Sequence, residues 1–314
     1  MKQYILILLC IFFCSTTSLQ AAEGPWLETE YAKVRLISST LATGNLKIIP
    51  AALEFQLNPD WKVYWRSPGD AGLPPVLATE NQQQEITNFW PVPERFSLFG
   101  VDTFGYSGRV LLPLSIKRFN TNTDFLFEGS LDALICSNIC VPITGRISLF
   151  IPKGEAFPSS YAQEIAFAKA RVPSETTGPN IKMLALGLNS KDKKILIEIE
   201  VPDENLDDII IETNLKGFSF SKPFILEKAN NRFLAEVNVN GMLNIDSLIG
   251  QELTLTLISG HEFKEIKSVL LNTGENLKLS EVLFSGISSI LIISFIGGII
   301  LNLMPCVLPV IALK

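Results

Sequence analysis

Ile195-Leu196-Ile197-Glu198-Ile199-Glu200-Val201 is the stretch that decides the fold class. Ile195, Ile197, Ile199 and Val201 fall on one face, and Glu198 and Glu200 fall on the other. A period of two residues means a strand with one buried and one wet face. The same alternation returns in Phe233, Ala235, Val237 and Val239, set against Leu234, Glu236, Asn238 and Asn240. It returns again in Leu253, Leu255 and Leu257, set against Thr254 and Thr256. These runs predict a β domain over 181–275.

Upstream, Ala51–Leu57, Trp61–Arg66, Arg109–Lys117, Asp124–Leu131 and Arg146–Ile151 are short apolar runs, with turn residues such as Asn58-Pro59-Asp60 and Ser67-Pro68-Gly69-Asp70 between strands. Many short strands at this spacing predict a second β-sandwich over 23–154. Between the two, Ser159–Arg171 reads as a short helix, with Ser159 or Ser160 to cap it and Arg171 suited to its C-terminal end. Pro173, Gly178 and Pro179 close a linker over 155–180. The fold class is therefore all-β: two sandwich domains in a chain of 314 residues.

Both ends are membrane-directed. Lys2, the apolar run Ile5–Phe13 and the small residues before Ala22 have the layout of a secretory signal over 1–22. Val282–Leu313 holds no charged residue, which is long enough for one transmembrane helix within 281–314. Pro305 and Pro309 flank Cys306 and should break that helix beside it. A broken helix is tolerated only where protein or water surrounds it, so Cys306 is expected to face a protein interior. With the signal cleaved, the bulk of the chain is expected outside the membrane and Lys314 inside.

Composition excludes several classes. The formal net charge is −6 and basic runs are absent, which argues against nucleic-acid binding. The one histidine, His261, reads as a surface turn residue and leaves no Cys2His2 site. Of the five cysteines, Cys10 and Cys14 lie in the signal. Cys136 and Cys140 remain in the exported region and Cys306 in the membrane segment.

Leu134-Ile135-Cys136-Ser137-Asn138-Ile139-Cys140-Val141-Pro142 is the stretch richest in chemistry. Residues four apart in a strand are roughly 13 Å apart, whereas a disulfide needs Cα atoms within about 7 Å. A bond therefore requires a turn at Ser137-Asn138-Ile139, and Pro142 is expected to end the strand. Three readings are open: a structural disulfide, a soft Cu(I) site, and a redox-active pair. Trp61 and Trp65 read as core aromatics and Arg66 as a turn-organising arginine.

Four segments together resemble the DsbD/ScsB family of transmembrane thiol–disulfide interchange proteins, nearer its ScsB-like branch. They are Asp60–Pro75, Trp90–Phe96 running on to Phe99-Gly100 and Phe104-Gly105-Tyr106, Cys136–Pro142, and Gly297–Pro309. The resemblance implies immunoglobulin-like sandwiches and a protein-disulfide reductase that needs no cofactor or metal. Electrons would pass from cytoplasmic thioredoxin through a membrane cysteine pair to Cys136 and Cys140, and on to exported thioredoxin-like or disulfide isomerase proteins. Such traffic serves disulfide isomerisation, cytochrome c maturation or copper tolerance. Cys306 resembles the first membrane cysteine, and the rest of a DsbD-like membrane domain, absent here, would supply its partner. The best-known members have five residues between the exported cysteines, where this chain has three. They also shield the pair with an aromatic cap loop, which makes Phe99 the cap candidate. The implied order of attack favours Cys140 for the mixed disulfide. The alternatives are a membrane-anchored interaction module with a permanent disulfide, or a copper-handling protein.

Overall fold

Alternating apolar residues require partner strands, and the computed structural model shows how they are met. It describes residues 22–98, 101–121, 123–175, 181–201, 206–229, 231–241, 243–272 and 294–296. In chain order the first part holds β1 (Leu27–Glu28), β2 (Ala32–Ser38), β3 (Ile48–Leu57), β4 (Lys62–Gly69), β5 (Val76–Thr79), β6 (Gln84–Asn88), β7 (Glu94–Leu98), β8 (Val101–Ser107), β9 (Arg109–Arg118), β10 (Phe125–Cys136) and β11 (Cys140–Ile151). They form one sheet in the order β1-β2-β3-β9-β6 and another in the order β11-β10-β4-β8-β7, with β5 also on β10. Val34, Leu36, Phe55 and Ile116 of the first sheet meet Trp65, Phe127, Leu131 and Leu149 of the second in one apolar cluster. Two sheets closing over one apolar layer is the sandwich solution.

One helix, α1 (Ala162–Ala170), follows. Ile165 and Ala168 pack on Ile37, Ala52 and Leu111, covering the back of the first sheet. Its start differs from expectation. Tyr161 is the N-cap residue and makes no capping side-chain bond. Ser159 Oγ instead accepts from the Tyr161 amide at 3.1 Å and donates to the Ser38 carbonyl at 2.5 Å, pinning the chain to β2.

The remaining strands are β12 (Lys182–Asn189), β13 (Lys194–Glu200), β14 (Asp208–Thr213), β15 (Phe218–Phe220), β16 (Phe224–Ala229), β17 (Arg232–Gly241), β18 (Glu252–Ser259), β19 (Glu262–Val269) and β20 (Leu271–Asn272). One sheet runs β15-β17-β13-β12-β20 and the other β14-β18-β19. Ile195, Ile197 and Ile199 of β13 meet Leu253, Leu255 and Leu257 of β18 in a second apolar cluster. The described chain is mostly strand, with α1, a 3-10 helix at Ile245–Leu248 and three helical residues at 294–296, and His261 sits exposed in the β18–β19 turn. Among the described residues no helix is long and apolar enough to cross a membrane. The expected signal, apart from Ala22, and the expected span, apart from 294–296, lie outside them.

Candidate functional site

The cysteines end and begin the two longest strands. β10 and β11 pair in register from Phe125↔Ile151 to Cys136↔Cys140, leaving only Ser137, Asn138 and Ile139 to turn. The turn brings the two Cα atoms to 4.1 Å, and the cysteines are bonded. The Ser137 amide donates to the Ile139 carbonyl at 2.9 Å, which tightens it.

Pro142 does not end the strand as expected; it lies inside β11, opposite Leu134. The 4.1 Å spacing marks Cys136↔Cys140 as a non-hydrogen-bonded pair. By alternation Leu134↔Pro142 is the same kind of pair. The Pro142 nitrogen therefore points away from β10, and β11 is the edge of its sheet, so no ladder bond is lost.

The two sulfur-bearing residues differ in access. Cys136 is 2% exposed, whereas Cys140 is exposed, and Ile139 beside it is 62% exposed. Cys136 follows core residue Ile135 but is not itself in the core cluster, so it faces outward from the sandwich. Lys62 of β4 is its register partner on the other side, and Ser107 of β8 pairs in turn with Lys62. Directly opposed residues share a face. Cys140, Cys136, Lys62 and Ser107 thus line up across the outer face of four strands.

Lys62 Nζ donates to Thr103 Oγ1 at 3.2 Å and stands 4.8 Å from the Phe96 ring centroid. Burial pushes its pKa below the usual lysine range. Tyr64, two residues along the same face, is buried, and burial raises its phenol. Its cover is the loop after β4: a Cβ on Gly72 would fall 2.4 Å from the Tyr64 ring, and Gly72 adopts φ +106°. Only glycine satisfies both demands. Among the described residues there is no group of three or more His, Cys, Asp or Glu arranged to hold a metal.

Arg66 corrects the sequence reading. It organises no turn; it reaches the second sandwich. Its Nη2 lies 2.6 Å from both Glu212 and Glu265. Burial opposes its charge, yet the two carboxylates outweigh that and raise its pKa. Glu212 has the opposite balance: burial and the nearby Glu265 outweigh Arg66, so its carboxyl is held above the usual range. Arg95 of β7 makes a second crossing, bonding Asp208 through Nε at 2.8 Å and Nη2 at 3.0 Å, and Asp102 of β8 through Nη1 at 2.9 Å. Between these pairs Ile210 enters the first sandwich's cluster. Trp65 is core, as read, and Trp61 is half-buried and stacks on Tyr31 at 4.2 Å.

The sequence reading missed this interface, although one signal was present. Ile209-Ile210-Ile211 is an unbroken apolar run, the mark of a strand covered on both faces. Of the other candidate site residues, Phe99, Pro305, Cys306 and Pro309 lie outside the described residues. Leu98 and Val101 pair at the end of the β7–β8 hairpin, six residues along β8 from Ser107, the residue level with Cys136 through Lys62.

A bonded cysteine pair with one accessible member, set on the outer face of a β-sandwich, is an arrangement open to thiol–disulfide exchange. Comparison with known proteins shows what this part of the chain is similar to. Residues 43–152 match the family model of the N-terminal part of the thiol:disulfide interchange protein DsbD. That match spans most of the first sandwich. Over 81% of this chain and 100% of the other, its fold matches the crystal structure of the N-terminal periplasmic domain of ScsB from Proteus mirabilis, with TM-score 0.67 and 22% identity. The periplasmic chaperone SfaE aligns over 76% of this chain and 100% of its own at 12% identity, but with TM-score 0.20, a value that establishes no shared fold. No curated protein matches the chain.

Proposed function

We propose that this chain is the exported arm of a protein-disulfide reductase held in the inner membrane. On this reading, residues 1–22 direct export, the sandwiches at 23–154 and 181–275 are immunoglobulin-like and stand in the periplasm, and 281–314 spans the membrane. Cys306, in a helix broken by Pro305 and Pro309, and a partner in the remaining DsbD-like membrane domain carry electrons from cytoplasmic thioredoxin. Cys136 and Cys140 receive them and reduce exported thioredoxin-like or disulfide isomerase proteins. Disulfide isomerisation, cytochrome c maturation and copper tolerance are the processes such a reductant serves.

The observation that carries this reading is the unequal exposure of the bonded pair. Exchange needs a thiolate in line with a disulfide sulfur. A partner can reach the exposed Cys140, whereas Cys136 is covered. In the reduced protein the Cys140 thiolate attacks one sulfur of the partner's disulfide, and the other sulfur leaves as a thiolate that takes up a proton. The Cys136 thiolate then attacks Cys140 Sγ, the bond from Cys140 to the partner breaks, and the partner leaves fully reduced. Two electrons and two protons move to the partner, and the Cys136–Cys140 bond re-forms.

The test is to mix reduced variants with periplasmic extract. Cys136→Ala should accumulate mixed disulfides through Cys140, and Cys140→Ala should accumulate none. Full activity in both single variants would sink the proposal. As a shield, Phe99 predicts faster alkylation of the reduced pair in Phe99→Ala.

A further inference from the structure

Among the described residues β11 pairs only with β10, and it is the last strand of its sheet. An edge strand presents backbone donors and acceptors that no ladder satisfies. Which residues of β11 present them follows from the turn. The Ser137 amide donates to the Ile139 carbonyl, so 137↔139 is a hydrogen-bonded pair. Bonded and non-bonded pairs alternate along an antiparallel ladder. Cys140, Pro142, Thr144 and Arg146 therefore turn their backbone groups away from β10, and all four residues are exposed.

Ser148, the next residue in this phase, shows the same direction. A Cβ on Gly24 would fall 2.0 Å from the Ser148 carbonyl oxygen. The Gly24 amide donates to the Leu36 carbonyl at 2.7 Å, so Gly24 belongs to the N-terminal segment beside β2. That segment crowds the edge at Ser148. Among the described residues no backbone group bonds the edge between Cys140 and Arg146.

The exchange chemistry points to the same place. The attacking, attacked and leaving sulfurs lie on one line. Cys136 reaches Cys140 from the β10 side, so the partner's sulfur leaves on the opposite side, where the sheet ends. The partner's backbone then lies alongside the unpaired amide and carbonyl of Cys140. Pro142 limits this surface, because it offers a carbonyl but no N–H. Its gap interrupts any long ladder with a second copy of the chain, one way that edges are blunted. Cys140 and Thr144, on either side of it, keep both donor and acceptor. Ile139, 62% exposed, adds an apolar contact at the end of the edge.

We propose that the free edge of β11 from Cys140 to Arg146 is the docking surface for the interchange partner, which lays a short extended segment next to its disulfide along that edge as an added strand. The inference rests on the interchange reading above and adds how the partner is held.

The experiment is stopped-flow exchange of the reduced full chain with two probes, each releasing thionitrobenzoate. One is a short peptide rich in β-branched residues, with a central cysteine in mixed disulfide with thionitrobenzoate. The other is the mixed disulfide of thionitrobenzoate with 2-mercaptoethanol, which has no backbone to pair. The readout is the ratio of the peptide rate to the small-probe rate. Thr144→Pro deletes one donor on the edge without touching the ladder to β10, and should lower the ratio about two- to tenfold, the worth of one hydrogen bond. Thr144→Val keeps the amide and should keep the ratio. Pro142→Ala adds an amide and should raise it. On the wild-type chain, N-methylation of the peptide at alternate residues should lower the ratio in one phase and not in the other. An unchanged ratio in Thr144→Pro, or equal ratios for the two methylated peptides, overturns the proposal. So does a wild-type dimer in sedimentation that Thr144→Pro dissolves, because a second copy then occupies the edge. If the wild-type chain releases no thionitrobenzoate from the small probe, the interchange reading itself has failed.

Discussion

The two sandwiches are built alike and equipped differently. Each closes two sheets over one apolar cluster, yet only the first carries cysteines among the described residues. The first places its chemistry on a hairpin whose turn is three residues long, on an outer face that its own core does not need. The second offers acidic side chains: Asp208, Glu212 and Glu265 receive Arg95 and Arg66. One framework thus supports two jobs, and the difference lies in a few side chains placed on strand faces rather than in the fold.

The comparison breaks most visibly at the cysteines. Cys140→Ser should abolish interchange outright. A five-residue loop gives chain-entropy stabilisation of only about 2 kcal/mol, so unfolding by denaturant should shift by no more than that. A variant that still exchanges at the wild-type rate but loses far more stability than that would reverse the account.

Arg66→Ala comes next. It leaves Glu212 and Glu265 facing each other with no counter-charge, and should cost about 3 kcal/mol in urea unfolding. Lys194→Ala, which removes a partly exposed pair with Glu236 inside the second sandwich, should cost only about 0.5 kcal/mol. Equal losses would show that Arg66 is an ordinary surface pair. Ile210→Val should cost about 1 kcal/mol, because the removed methylene leaves a gap between the sandwiches.

The smallest effect is in pH, and it has opposite signs at two glutamates. Glu54 of β3 is fully buried and lies 2.7 Å from both Arg35 and Arg109. Burial opposes its charge, but two guanidinium groups outweigh it and hold its carboxyl below the usual value. Its stabilisation is present above the ordinary carboxylate range and is lost as pH falls through the folded value. Glu212 is shifted upward by burial, so the folded protein holds its proton more tightly than the unfolded chain. That contribution is present below the ordinary value of 4.5 and is lost as pH rises through the folded value. Relative to wild type, Glu54→Gln should fall further behind as pH rises from 4 to 7, and Glu212→Gln should catch up. Thermal unfolding across that range would show parallel curves if the two sites were alike.

Much of this was legible in the sequence because it is local. The period-two runs at Ile195–Val201, Phe233–Val239 and Leu253–Leu257 became β13, β17 and β18, with their apolar positions buried. The need for a turn between Cys136 and Cys140 follows from strand rise alone, and Ser137-Asn138-Ile139 supplies it. What could not be read was tertiary. Arg66 sits beside a turn motif, and nothing within several residues reveals that its acids lie near 212 and 265. Pro142 looked like a strand end because edge position, which makes it harmless, is set by the order of strands in the sheet. Lys62 drew no notice for the same reason, since its place beside Cys136 comes from a pairing across more than seventy residues.

The most direct test of the central claim is the reduction potential of the Cys136–Cys140 pair, measured on the chain against glutathione and dithiothreitol by peptide-resolved alkylation. The account predicts a value among known exchange proteins, roughly −120 to −270 mV. A value well below about −300 mV would mark a permanent disulfide and contradict it.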